Sequence, residues 1–227
     1  MTVSAEPDGR RRLWFSRAEI ERLCEDRLAN AGLLPANGGC TVDVEALLEN
    51  ELGAAVDYSA KLAPSVLGFT IFERPPRVVV NVTLTDGATR PGAPHGLLGR
   101  WRATIAHEAA HILLHSRLYD PDPFVPGRAN VQPMRCLRTT VEQEQPKSDW
   151  REVQANMGMA ALLMPKSLFE REATSILRAL VPNAVPPLSR NHQALATIVP
   201  SLASRFVVSK QAAAIRLETC GYVISSR

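Results

Sequence analysis

The sequence lacks the features that mark several classes of protein. Aromatic residues make up only 5% of its 227 residues, so the core must rest on aliphatic side chains. The longest wholly apolar run, Met159 to Met164, is far too short to span a bilayer. The N-terminal residues contain Arg10-Arg11-Arg12 without a following apolar stretch, so we expect no secretory signal. These absences predict a cytoplasmic protein with no membrane partner.

The four cysteines, Cys24, Cys40, Cys136 and Cys220, form no C-x-x-C pair. In a cytoplasmic protein they are expected to be free thiols rather than a disulfide framework or a cysteine-type zinc site. A composition of 45% hydrophobic and 22% charged residues excludes a fully disordered or a fibrous chain. The net charge of +3 is too small to indicate nucleic-acid binding by itself.

Apolar periodicity and end signals divide the chain into helices and three short strands. Helices are predicted at residues 16–31, 42–52, 98–117, 149–164, 167–180, 193–206 and 210–220. Extended segments are predicted at residues 54–59, 66–72 and 77–83, and their close spacing favours an antiparallel meander. Residues 85–96 and 120–146 are rich in loop-forming residues and are predicted to form loops.

One motif carries most of the chemical information. In His107-Glu108-Ala109-Ala110-His111, the two histidines are four residues apart on a predicted helix. They therefore lie on one face, about 6 Å apart along the axis, and both imidazoles can point at one metal ion. Glu108 lies beside that position, where a carboxylate can accept a proton from metal-bound water.

A catalytic zinc usually takes a third protein ligand and leaves one position open for water. His115 continues the four-residue series, but it lies about 6 Å beyond His111 along the axis, so we expect it behind the ligands or at the helix end. Glu152 on the next predicted helix is the better candidate. Asp149 is a weaker candidate, because it lies in the first helical turn, where the helix dipole stabilises an acidic residue without any metal. Taken alone, Glu152 is more often a solvated surface acid.

Two spaced motifs resemble those of the ImmA/IrrE family of metallo-endopeptidases. They are RATIAHEAAHILLH at residues 102–115 and EVQAN at residues 152–156, the latter followed by LLMP at residues 162–165. The resemblance covers roughly residues 42–223, including the apolar strand that ends at Asn81. It implies that one Zn²⁺ ion is held by His107, His111 and Glu152, with Glu108 as the catalytic base. The implied fold is α+β: a helical, zincin-like domain with a small antiparallel sheet of about three strands.

The sequence departs from the family pattern at two places. Ala109-Ala110 stands where the family often has Leu-Gly, and Gly158-Met159 stands where Phe-Ala is usual. Neither change removes a ligand, although Gly158 costs its helix about 1 kcal/mol relative to alanine. The segment between the motifs is also longer than usual. We interpret residues 120–147 as an insertion, either a lid or recognition loop or a tolerated surface insertion.

The chain is expected to have three parts: a flexible basic leader (1–15), the metallopeptidase domain (16–188) and a helical, helix-turn-helix-like segment (189–227). In the last part, Ser209 is the predicted N-cap of a helix. That helix offers only Lys210, Gln211 and Arg216 as candidates for reading DNA, amid alanines. A packing role is therefore favoured over DNA binding.

The resemblance implies a zinc-dependent endopeptidase acting on a protein in a regulatory, stress-response or mobile-element context. Members of the family cleave or regulate helix-turn-helix repressors, so such a repressor is the expected substrate. Tyr119, His95 and His192 are all candidates for the group that stabilises the oxyanion, and the sequence does not choose among them. The alternative is a zinc-stabilised regulatory module that binds a repressor or DNA without hydrolysis. The intact Glu108 argues against this alternative, since a binding protein has no use for a base.

Overall fold

The computed structural model describes residues 2–5, 11–36, 38–119 and 149–224. Over these residues the protein is α+β, as predicted, with most of the chain in helices and a small three-stranded sheet. The predicted insertion at residues 120–147 lies outside the described residues, as do Cys136 and Ser148. Cys24, Cys40 and Cys220 are free thiols, as expected.

The N-terminal residues form an antiparallel pair of strands, β1 (Thr2–Ala5) and β2 (Arg11–Trp14). Leu13 and Phe15 are both buried in the core. The flexibility expected of residues 1–15 stays a prediction.

The first helix, α1 (Arg17–Asn30), begins at a capping box that the sequence indicates by Ser16 followed three residues later by Glu19. The Ser16 side chain accepts from the Glu19 backbone, and the Glu19 carboxylate accepts from the Ser16 backbone. A short helix, α2 (Val44–Ala46), then continues as a π-helical turn (Leu47–Glu51). It buries Val44, Leu47 and Leu48.

The sheet contains β3 (Ala55–Ala60), β4 (Gly68–Ile71) and β5 (Arg77–Asn81) in the order β3-β5-β4. The three strands were predicted, but the antiparallel meander was wrong: β5 pairs antiparallel with β4 and parallel with β3. The reason lies in the burial of β5, whose residues from Val78 to Asn81 are all buried. A strand apolar on both faces is most stable in the centre, so the half-exposed β3 takes an edge.

Residues 85–96 were predicted to be a loop, and this was wrong. Most of them belong to α3 (Val82–Thr89) and to the first turn of the next helix. The Asn81 side chain starts α3 by accepting a hydrogen bond from the Thr83 backbone, while its amide donates to the Val66 carbonyl at 2.9 Å. Leu84 and Ala88, four residues apart, are buried on the inner face of α3. This tertiary packing outweighs the low helix propensity of the segment.

Two long helices form the centre of the molecule. Helix α4 (His95–His115) is followed by a 3-10 turn (Ser116–Leu118), and it packs against α5 (Trp150–Leu163) and the sheet. Helix α5 also packs against α1. The functional motifs therefore lie on the most deeply enclosed helices of the described chain.

The C-terminal part is helical, as predicted. It comprises α6 (Lys166–Leu180), α7 (Leu195–Phe206) and α8 (Lys210–Thr219). Helix α7 continues through Pro200, where an interruption was expected, and Ser209 caps α8 as predicted. Arg216 of α8 is buried at 2% exposure, whereas Lys210 and Gln211 are exposed. One of the three candidate DNA-reading side chains thus points into the protein.

Candidate metal centre

The two motif histidines lie side by side on the buried face of α4. His107 and His111 are 1% and 0% exposed, and their Nε2 atoms are 3.0 Å apart. The four-residue spacing places both rings on one face, as the sequence predicted. Their ring planes are nearly perpendicular, at 78°. Both Nε2 atoms can therefore be directed at a common point.

Glu152 comes to the same point from the first turn of α5. Its Oε2 lies 3.2 Å from Nε2 of His107, and its Oε1 lies 3.3 Å from Nε2 of His111. Its side chain keeps 24% exposure, so the cluster reaches solvent on the side of the carboxylate. The fold thus brings together the three residues predicted as ligands. Among the described residues, these two histidines and one glutamate form a cluster that could hold a metal ion.

The distances fit a tetrahedral ion. Zinc bonded at about 2.0–2.1 Å separates two ligand atoms by about 3.3 Å, the edge of the tetrahedron. The two Nε2 atoms are 3.0 Å apart, and each lies 3.2–3.3 Å from a different oxygen of the Glu152 carboxylate, distances close to that edge. Two imidazoles and one carboxylate also form a ligand set typical of catalytic zinc, with one position left for water. The cluster can therefore hold a metal ion.

Asp149, the rival third ligand, has a different role. Its side chain accepts a hydrogen bond from the Arg151 backbone as the N-cap of α5, and it also pairs with the Arg151 guanidinium. Burial raises the pKa of Asp149, but the hydrogen bonds from Arg151 outweigh this, so the pKa lies below its usual value. Asp149 starts the helix that presents Glu152.

The pKa of Glu152 lies well below its ordinary value. Burial alone would raise it, but hydrogen bonds to His107 and His111 favour the carboxylate and determine the net direction. Glu152 is therefore an anion at neutral pH. An ionised carboxylate is the form that binds a cation.

Glu108 is fully buried between α4 and the sheet. The hydroxyl of Thr70 in β4 donates to its Oε2 at 2.7 Å, and Thr70 is likewise 0% exposed. Nothing in the sequence singles out Thr70, because a threonine in a strand carries no motif. The contact exists because β4 lies against α4 in the folded protein.

The family model described as the IrrE N-terminal-like domain, a peptidase family, matches residues 97–218. This range is more than half of the chain and contains all four predicted site residues. The chain belongs to this family. Curated proteins and solved structures gave no match. Family membership agrees with a metallopeptidase at the level of reaction class, and the His-His-Glu cluster agrees with a metal-dependent one.

The two departures from the family's usual motifs contact each other. A Cβ atom added at Gly158 of α5 would lie 2.8 Å from the Cβ of Ala110 and 3.3 Å from Leu114. The usual motif has glycine at the position of Ala110 and a larger residue at that of Gly158. In this chain the smaller residue of the pair is on α5, and it permits the close approach of the two helices.

His115, rejected as a ligand, lies behind His111 as expected. Its Nδ1 is 3.2 Å from Nδ1 of His111, and its Nε2 is 3.2 Å from Oε1 of Gln154. Burial, together with the nearby His111, lowers the pKa of His115 to about 3, so the ring is neutral at neutral pH. Gln154 was not singled out from the sequence, although it lies between two motif residues.

The three candidates for oxyanion stabilisation are far apart in the fold. His95 begins α4, twelve residues before His107, which places it about 18 Å away along the axis. The His192 ring accepts a hydrogen bond from the Ala194 backbone in the loop before α7. Tyr119 stacks on Phe72, with ring centroids 4.0 Å apart, and its hydroxyl accepts from Arg151 at 3.1 Å. Tyr119 therefore contacts α5, the helix that carries Glu152.

Among the residues that the structure describes, no helix is both long enough and apolar enough to cross a membrane. The cytoplasmic location and the division into three parts stay predictions.

Proposed function

We propose that this protein is a zinc-dependent endopeptidase in which His107, His111 and Glu152 hold the metal. The observation that carries the proposal is the convergence of two Nε2 atoms, 3.0 Å apart, and the two oxygens of the Glu152 carboxylate, each 3.2–3.3 Å from one of them. The buried carboxylate of Glu108 lies on the same helix as the two histidines. When bound there, zinc would supply a Lewis acid that activates water and polarises the scissile carbonyl.

Each site residue has a distinct role in the proposed reaction. The imidazoles of His107 and His111 are neutral ligands, and the Glu152 carboxylate adds one negative charge. Glu108 accepts a proton from the attacking water and delivers it to the leaving amine nitrogen. Thr70 holds Oε2 of Glu108 by its hydrogen bond and thereby limits the orientations of the base.

We further propose a helix-turn-helix repressor as the substrate. The support is the resemblance of the two motifs to a family whose members cleave or regulate such repressors. If a gene adjoining its own encodes a helix-turn-helix repressor, the direct test is to incubate the two proteins with and without a chelator. We expect cleavage that the chelator abolishes and added zinc restores, with fragments identified by mass spectrometry.

Glu108→Gln separates the enzyme from the alternative, a zinc-stabilised binding module. Because Glu108 is not a ligand in this proposal, the variant should bind zinc like the wild type. Its cleavage rate should fall about 10²- to 10⁴-fold, the contribution typical of a positioned base. Glu152→Gln is the matched control and should lose zinc as well. Unchanged cleavage or regulatory activity in the Glu108 variant would contradict the enzyme and support the binding module.

A further inference from the structure

A chain of hydrogen bonds runs from the metal centre to the N-terminal strand. Nδ1 of His111 is 3.2 Å from Nδ1 of His115, and Nε2 of His115 is 3.2 Å from Oε1 of Gln154. The Gln154 amide then donates to the backbone carbonyl of Leu13 in β2 at 3.3 Å. The chain thus connects α4, α5 and β2, three elements that are distant in sequence.

The backbone carbonyl of Leu13, at the far end of this series of hydrogen bonds, determines which atom donates and which accepts in each of them. A backbone carbonyl only accepts, so Gln154 must turn its NH₂ group to Leu13 and its Oε1 to His115. Nε2 of His115 must then carry the proton of the neutral ring, which leaves a lone pair on its Nδ1. Nδ1 of His111 must in turn donate, so in the neutral ring, which is the form that binds a metal, the lone pair of His111 is on Nε2. That atom is the one directed at His107 and Glu152.

The surroundings keep this arrangement in place. His111 and His115 are 0% exposed and Gln154 is 1% exposed, so bulk water does not compete for their polar atoms. The ring of Trp150 meets the His115 ring edge-on, with centroids 5.5 Å apart and planes at 90°. This contact restricts rotation of the histidine ring.

We propose that His115 and Gln154 are positioning residues that fix His111 in the tautomer offering Nε2 to the metal, with the Leu13 carbonyl setting the direction. The inference rests on the metal site of the proposed function. Partners behind a ligating histidine typically change metal affinity 10- to 100-fold when they are removed.

The first experiment measures the Zn²⁺ affinity of the full chain by competition with a chromogenic chelator. His115→Phe keeps an aromatic ring against Trp150 but cannot accept from His111, so we expect zinc binding to weaken about 10- to 100-fold. His115→Gln can accept from His111 and donate to Gln154, and it should recover most of the affinity. Folding of each variant is checked by circular dichroism without metal. A folded His115→Phe variant with wild-type affinity would overturn the proposal.

A second measurement needs no substitution at His115. Long-range ¹⁵N–¹H NMR of the imidazoles distinguishes the two neutral tautomers. In the zinc-loaded wild type, we expect the His115 proton on Nε2. Gln154→Leu removes the acceptor, so the Nδ1 tautomer of His115 should become populated and zinc affinity should fall. A wild-type His115 with its proton on Nδ1 would refute the inference even if the variants misfold.

These results are separable from the proposed function. A wild-type protein that binds no zinc would remove the basis of both proposals. A wild type that binds zinc and cleaves its substrate, with His115 and Gln154 variants that bind zinc equally well, would overturn this inference alone.

Discussion

At the scale of single residues, the site depends on groups that orient other groups. Glu108 lies on α4 next to a ligand, but its orientation is held from β4 by the Thr70 hydroxyl at 2.7 Å. Both side chains are completely buried. A buried hydroxyl bonded to a carboxylate is worth more than one bonded to a neutral group.

Thr70→Val should therefore lower catalysis without lowering zinc affinity. Valine keeps the shape of threonine but cannot donate to Glu108, and we expect kcat/KM to fall about 10- to 100-fold, from a lost bond of about 1.5–3 kcal/mol. Steady-state kinetics and a zinc titration measure the two quantities.

Thr104→Val is the matched control for this prediction. Thr104 is equally buried, but its hydroxyl donates to the Arg100 carbonyl of its own helix at 3.0 Å. This variant should keep nearly wild-type kinetics. Equal losses in both variants would show that the effect of Thr70 is general packing rather than orientation of the base.

At the scale of elements, the geometry of the site depends on how closely α5 approaches α4. The two helices are in close contact at Gly158 and Ala110, six residues along α5 from the proposed ligand Glu152. Any change in the separation of the helices there also changes the position of Glu152 relative to the histidines.

Gly158→Ala should consequently destabilise the protein despite the better helix propensity of alanine. The added methyl group would lie 2.8 Å from the Ala110 side chain, and overpacking of this kind costs about 1–3 kcal/mol. Propensity alone would give a gain of about 1 kcal/mol. Urea denaturation measures the net change, and a stabilised variant would contradict the proposed close contact.

The double variant Ala110→Gly/Gly158→Ala tests whether the two family departures compensate each other. Removing the methyl group on α4 makes room for the one added on α5, so the interaction energy of the double-mutant cycle should be favourable by about 1 kcal/mol or more. Zinc affinity should recover together with stability. Strictly additive effects of the two substitutions would show that they are independent.

At the scale of the whole molecule, the C-terminal helix is bound to the catalytic part through one buried cation. Arg216 of α8 pairs with Glu21 of α1 and donates to the carbonyl of Met164, at the end of α5. Its guanidinium also lies 5.9 Å from the ring centre of Phe169. Arg216 therefore joins the first, the central and the last helices of the described chain.

Glu21→Ala should lower the free energy of unfolding by about 3–5 kcal/mol, because it leaves the buried guanidinium without its counter-ion. Glu218→Ala is the control. It removes the pair with Arg190, whose side chains are 44% and 29% exposed, and an exposed pair contributes less than about 1 kcal/mol. Chemical denaturation of both variants gives the comparison. A loss below 1 kcal/mol for Glu21→Ala would mean that α8 is held mainly by apolar contacts.

The burial of Arg216 also bears on the helix-turn-helix likeness of α7 and α8. A side chain committed to Glu21 and Met164 is not available to a base edge. This supports the prediction that the segment has a packing role, while the question of partners belongs to the experiments proposed above.

The sequence by itself determined the structural features that depend on the spacing of residues close together in the chain. The four-residue separation of His107 and His111 fixes them on one helix face, and the Ser16–Glu19 capping box fixes the start of α1. The second motif identified Glu152. These signals are local, since helix periodicity and capping involve residues within one or two turns.

Only the tertiary structure decided the structural features that depend on contacts between residues far apart in the sequence. The parallel pairing of β3 with β5 and helix α3 in place of a loop both follow from burial against other elements. Thr70 and Gln154 lie far in sequence from Glu108 and His115, the residues that they orient. Such partners carry no local pattern, because the free energy that selects them is gained only when the separate elements pack together.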